Sequence, residues 1–225
     1  TSGADSIEGT DNDEYLHAGE GEDTIHGNGG DDIILGQDDN YDEYLYGDDG
    51  DDIIYLSQGS AYGGNGNDYL WDNGGSNSLY GGAGNDEIYG GFGHDYIEGG
   101  SGNDVIEGGD NDDEIYGDDA SGENEGDGND IIYGGRGNDI IRGGGGDDYI
   151  SGYIGDDVIR GGSGNDIIRG GYDNDTLMGQ MGDDIIKGGD GDDYLFGDND
   201  TGESESDGND ILYGGLGNDV LQGKG

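Results

Sequence analysis

The chain has 225 residues, 58 of them Gly, no Pro and no Cys, and 6 basic against 56 acidic side chains leave a formal charge of −50. Leu, Ile, Val and Phe together number 38, too few for an ordinary core, and so charged a chain is expected to stay disordered unless something offsets the charge. Such acidity disfavours nucleic acid and anionic membrane, the lack of Cys removes disulfides and thiolate metal sites, and no apolar run reaches membrane-spanning length, so composition points to cations as partners.

Read from the start, the chain is a train of 23 units with a nine-residue period: Gly, Gly, any, Gly, any, Asp, any, aliphatic, any. The first units centre on Ile7, Leu16, Ile25 and Ile34, an irregular stretch follows at 36–46, and a unit shortened to seven residues lies at 56–62. Regular units then run as GGAGNDEIY from Gly81, GGFGHDYIE from Gly90 and GGSGNDVIE from Gly99. Two units are stretched to 17 residues, Gly117 to Tyr133 and Gly197 to Tyr213, by acidic loop insertions at 117–130 and 197–210. Between and after them the nine-residue register returns, and 1–225 is expected to be a single continuous repeat domain.

Each unit predicts a tight turn and a short strand. The eighth position is Ile in 14 units, Leu in 8 and Ala61 in one, flanked by mixed residues, which is the alternation of a strand with one buried face. The fourth is Gly in 18 units, with Asn12, Asn111 and Asp173 in three more, which predicts a left-handed backbone there. The sixth is Asp in 19 units: Asp5, Asp23, Asp32, Asp52, Asp68, Asp86, Asp95, Asp104, Asp113, Asp130, Asp139, Asp148, Asp157, Asp166, Asp175, Asp184, Asp193, Asp210 and Asp219. Glu14, Glu43 and Asn77 replace it in three, and the shortened unit lacks it.

A carboxylate at every turn, beside glycines that expose carbonyl oxygens, suits a hard cation that takes six to eight oxygen ligands. With two units per coil, equivalent turns stack about 4.8 Å apart and an ion can lie between them. One buried aliphatic residue contributes roughly 1.5–3 kcal/mol per unit, whereas ordering the backbone costs roughly 1–2 kcal/mol per residue, so folding is expected to depend on metal. Sorting the units by parity yields one uninterrupted carboxylate row from Asp32 to Asp210 and another that is regular only from Asp95 onward, so sites between 36 and 80 on that side are doubtful. About one ion per stacked pair predicts roughly 15–20 Ca²⁺ ions, bound weakly one by one and cooperatively together.

These residues and their spacing resemble the calcium-binding nonapeptide repeats of the repeats-in-toxin family over essentially the whole chain. The resemblance implies an all-β fold without helix, a right-handed parallel β-roll of about 11 coils with calcium in both rows of turns. It also implies folding outside the cell after export by a type I secretion machine, hence a secreted or cell-surface location.

Catalytic motifs such as HExxH and GxSxG are absent, and His17, His26 and His94 lie scattered in the repeat, so the chain is not expected to be an enzyme. The leading expectation is a non-catalytic calcium-binding structural module, in a surface layer, adhesin or filament, with neither nucleic acid nor membrane insertion. The alternative is the folding and secretion domain of a protease, lipase or epimerase. Of 17 Tyr, 14 occupy the seventh or ninth positions and are expected to stack in outward ladders such as Tyr46, Tyr62, Tyr80 and Tyr55, Trp71, Tyr89. Arg142, Arg160, Arg169 and Lys187, at the ninth position, are expected to pair with nearby acids. Thr1 and Gly225 both fall inside a unit, an arrangement expected of a fragment or of subunits that meet end to end.

Overall fold

A computed structural model describes residues 3–37, 41–120, 128–198 and 208–223. The cores of both acidic insertions, 121–127 and 199–207, lie outside the described residues, as do 38–40 in the irregular stretch.

Every repeat centre forms a strand, from β1 (Ser6–Glu8) to β23 (Val220–Gln222), and no helix occurs among the described residues. Odd-numbered strands form one sheet of 12 and even-numbered strands another of 11, each strand pairing in parallel with the one two places along the chain. The result is the expected roll with two units per coil.

Register follows the aliphatic position. Ile88 stands opposite Leu70 and Ile106, and Ile106 opposite Ile132, so each sheet sends one file of side chains inward. From Ile25 to Leu195 every one of these residues is buried, including Ala61. The partner lies 18 residues away in a regular coil and 26 away across the first insertion, so the extra residues are absorbed without a slip. A one-residue slip would turn the aliphatic file outward, which is why the register is so strongly set.

Strands in the regular coils are longer than the three residues expected. Glu87–Phe92 and Ile140–Gly145 are six residues each, because pairing continues through the first three positions of the next unit, as in Gly91 opposite Gly109. Left-handed backbone occurs at the fourth position, with Asn111 at φ 86° and Asp173 at φ 77°, though Asn12 does not share it. It also occurs at the second position, where Asn28, Asp48, Tyr153 and Gln180 join the glycines. In the shortened unit Gly59 takes the aspartate's place opposite Glu43.

On the outer face, Tyr46, Tyr62 and Tyr80 stack with ring centroids 4.6 and 4.7 Å apart, and His26 extends the stack onto Tyr46 at 4.4 Å. The second ladder is not a plain stack: Tyr69 enters between its members, and Trp71 and Tyr89 are tilted by 36° at 5.3 Å. Of the ninth-position cations, Arg142 does reach Glu114 at 3.6 Å. Lys187 instead lies over the ring of Tyr213 directly opposite it, and Arg169 reaches diagonally over the ring of Tyr149 on the neighbouring strand.

Ile132 is wholly enclosed in the inward file. Ile132→Ala should cost about 2–5 kcal/mol in the calcium-loaded protein, read as a lowered denaturant midpoint, and Ile132→Val markedly less.

Candidate metal centres in the turns

The fourth to sixth positions form the turns, and the sixth-position side chain points into the roll. Of the 19 predicted aspartates, 16 are buried, while Asp5, Asp210 and Asp219 near the two ends are half-buried. Their two carboxylate oxygens have different surroundings.

Oδ1 accepts a hydrogen bond from the backbone N–H of the sixth residue one coil earlier. Asp32 donates to Asp52 at 2.7 Å, Asp52 to Asp68 at 2.8 Å and Asp86 to Asp104 at 2.8 Å in one row; Asp95 donates to Asp113 at 2.8 Å and Asp139 to Asp157 at 2.8 Å in the other. Half of each carboxylate is thus committed to joining coils.

Oδ2 is buried without a hydrogen bond at Asp23, Asp32, Asp52, Asp68, Asp86, Asp95, Asp104, Asp113, Asp139, Asp148, Asp157, Asp166, Asp175, Asp184 and Asp193. A single such acceptor is costly, and a whole file of them calls for a positive partner. The first-position glycine shows where that partner fits. A Cβ on Gly81 would lie 2.4 Å from both Asp86 Oδ2 and the Gly99 carbonyl oxygen; on Gly143 it would lie 2.2 Å from Asp148 Oδ2 and 2.6 Å from the Gly161 oxygen. Neither glycine has left-handed φ. Glycine is needed there because a carboxylate oxygen and a carbonyl oxygen of the next coil share one hollow.

Among the described residues no group of three or more His, Cys, Asp or Glu side chains could hold a metal by itself. The reason is architectural: a turn offers one spare carboxylate oxygen, and the other donors are backbone carbonyls. An all-oxygen set of this kind fits Ca²⁺ and does not fit zinc, which favours nitrogen and sulfur.

In the metal-free chain, burial raises these carboxyls, and neighbouring carboxylates raise them further against the N–H bond that lowers them. Asp148 is pushed up to about 9, Asp104, Asp113 and Asp157 to about 8, and Asp68, Asp95, Asp175 and Asp184 to about 7.

Three departures from the repeat resolve differently. Glu14 folds back onto its own turn, accepting from Thr10 N–H at 2.8 Å, and Glu43 likewise accepts from Gln37 N–H at 2.8 Å. Asn77 keeps the ladder through Oδ1, which accepts from Gly59 N–H at 2.7 Å. Its Nδ2 donates to Asp72 Oδ2 at 2.6 Å and to the Gly74 carbonyl at 3.2 Å. An amide N–H thereby occupies the electropositive role in that hollow.

Sequence reasoning left the fifth position blank, and it carries a second ladder. Asn85 N–H donates to Asn67 Oδ1 at 2.9 Å, Asn103 to Asn85 at 2.8 Å and Asn165 to Asp147 at 2.7 Å, each reaching the coil before it. The sixth-position ladder runs the other way. The signal was present in the recurring Asn-Asp and Asp-Asp pairs.

The RTX calcium-binding nonapeptide repeat model matches residues 1–60, 62–121, 126–202 and 206–225 in overlapping segments, and the chain belongs to that family. The repeats of this family bind Ca²⁺ and are typical of secreted proteins. No curated protein matches the chain.

Two outcomes follow from the turn geometry. Gly143→Ala should lower calcium affinity and raise the ion concentration needed for folding, whereas Gly29→Ala, whose Cβ would meet nothing closer than 3.7 Å, should leave both unchanged in a calcium titration followed by circular dichroism. Carboxyls raised in the folded state favour the fold when protonated and lose that contribution as pH rises through their folded values. The metal-free chain should therefore gain β-structure between about pH 8 and about pH 5, and adding calcium near neutrality should release protons, detectable in weakly buffered solution.

Proposed function

We propose that this member of the RTX repeat family is a non-catalytic structural module that folds when calcium enters its turns and does so outside the cell. The observation that carries the proposal is the file of fifteen buried Oδ2 atoms without a hydrogen bond, facing glycine carbonyls. Bound Ca²⁺ supplies the positive charge that lets stacked carboxylates approach.

The chain's own residues do the rest. Oδ2 of the sixth-position aspartates and the first-position carbonyls hold the ions, with Asp130 in the same row and the half-buried Asp5, Asp210 and Asp219 completing the files toward the ends. Oδ1 and the fifth-position side chains fix the spacing of successive turns. Glu14 and Asn77 close their hollows with the chain's own atoms, so metal is held mainly in the regular coils. Modules of this kind are suited to the roughly 0.1–1 mM calcium of extracellular sites, where a long row of weak sites fills together.

Chelation should convert a β-rich circular dichroism spectrum to that of a coil, and calcium should restore it. Asp148→Asn preserves an oxygen for the ladder but replaces a cation ligand by an amide, as at Asn77. It should lower the number of bound ions and raise the folding midpoint without abolishing folding. A chelator-insensitive spectrum would refute the proposal.

A further inference from the structure

Cross-strand register builds a trough on the even-numbered sheet. Trp71, Tyr89 and Glu107 follow one another at the ninth position. Phe92, Asp110, Arg136 and Ile154 do so at the third. Between these rows the floor is Gly91, Gly109 and Gly135, and the file ends at Tyr153. The hollow measures 540 Å³, within the range of small-molecule sites, and four strand steps of about 4.8 Å make it roughly 19 Å long. At the same height on the other sheet Asn65, Ala83 and Ser101 occupy the third position, so the row of large third-position side chains is peculiar to one face.

Tyr153 bounds the trough at its far end. It holds φ at 81° where both of its cross-strand neighbours are Gly135 and Gly171, yet it is half exposed. A bulky residue held in left-handed backbone costs about 1–3 kcal/mol. Its half-exposed ring lies 5.9 Å from that of Tyr133 on the adjacent strand and closes the end of the trough.

The lining discriminates among ligands. Phe92 is 63% exposed and meets no other ring among the described residues, whereas Trp71, 41% exposed, is flanked by Tyr69 and Tyr89. Asp72 is held by Asn77 and the Gly74 N–H, and Arg136 lies 4.0 Å from Asp110, which leaves exposed Glu107 without an ion pair among the described residues. Elsewhere on the molecule rings take cations from the chain itself, with Arg142 4.8 Å above Tyr116 and Lys187 5.8 Å from Tyr213, but among the described residues none lies over Trp71 or Phe92. The formal charge of −50 is offset only in part by about 15–20 Ca²⁺ ions, so the loaded protein still attracts cations and repels anions.

We propose that this trough, with Trp71 in its wall, binds a small linear organic cation, a polyamine, with one ammonium group over Phe92, another against Glu107, and its methylene stem along the glycine floor toward Tyr153. Cation–π attraction strengthens as the ring site is desolvated, and the carboxylate adds a charge-assisted hydrogen bond.

Trp71 is the only tryptophan, so its emission reports on the trough directly. In calcium-saturated protein, spermidine should change that emission saturably. Phe92→Ala and Tyr153→Gly should each weaken the response, on the order of tenfold for loss of a ring contact. Tyr153→Gly restores the glycine found in neighbouring coils, so it should fold at no higher calcium concentration than the parent, which separates loss of binding from loss of stability. An unchanged emission would overturn the proposal, as would equal affinity in Tyr153→Gly, which would indicate diffuse attraction to an acidic surface. A response to neutral cellotetraose in place of spermidine would also overturn it, in favour of a saccharide site.

Discussion

The structure depends on bringing like charges together where water cannot separate them. In each row of turns, carboxylates recur at the spacing of neighbouring strands, about 4.8 Å, and most are buried. Their Oδ1 atoms are tied to backbone N–H groups, so the carboxylates cannot turn away without breaking the contacts that join coils. Protonation or a bound cation is the only relief, and burial prepares these groups for either by disfavouring the bare anion. At ordinary pH the second option uses an ion that brings two charges and accepts many oxygens.

Around that constraint the backbone is organised by two side-chain ladders of opposite sense. The sixth-position carboxylates accept from the coil before, and the fifth-position Asn and Asp accept from the coil after, so the turns are held from both directions. Glycine serves two separate ends here. At the second and fourth positions it supplies left-handed backbone, whereas at the first it leaves room for Asp Oδ2 and a carbonyl oxygen. Asn77 demonstrates the same logic in reverse: where the carboxylate is lost, an amide hydrogen bonded to buried Asp72 fills the electropositive place. The aliphatic files, one residue wide per sheet, close the middle of the roll but do not reach the turns.

The two faces of the roll share a scaffold and differ in what they display. At the third position Asn65, Ala83 and Ser101 follow one another on the odd-numbered sheet, and the larger Phe92, Asp110, Arg136 and Ile154 do so on the even-numbered one. Since the strands are parallel and in strict register, residues 18 apart become neighbours, and a scatter of aromatic residues in the chain becomes a wall in space. Tyr153, at the end of that wall, retains a backbone conformation that its glycine neighbours adopt without cost.

The nine-residue period by itself determined the parallel two-sheet roll, the inward aliphatic file and the buried aspartate rows, because a strict period leaves one way to stack units and hide one residue in nine. It also displayed the interruptions between 36 and 80, where Glu43 and Asn77 break the pattern. Only the tertiary structure decided how each carboxylate divides its two oxygens, that the first-position glycine is a spatial requirement, that the fifth position forms a ladder, and that Arg169 and Lys187 lie over rings. Those outcomes depend on which atoms of successive coils face each other across a few ångströms, and spacing along a chain does not specify side-chain direction at that scale.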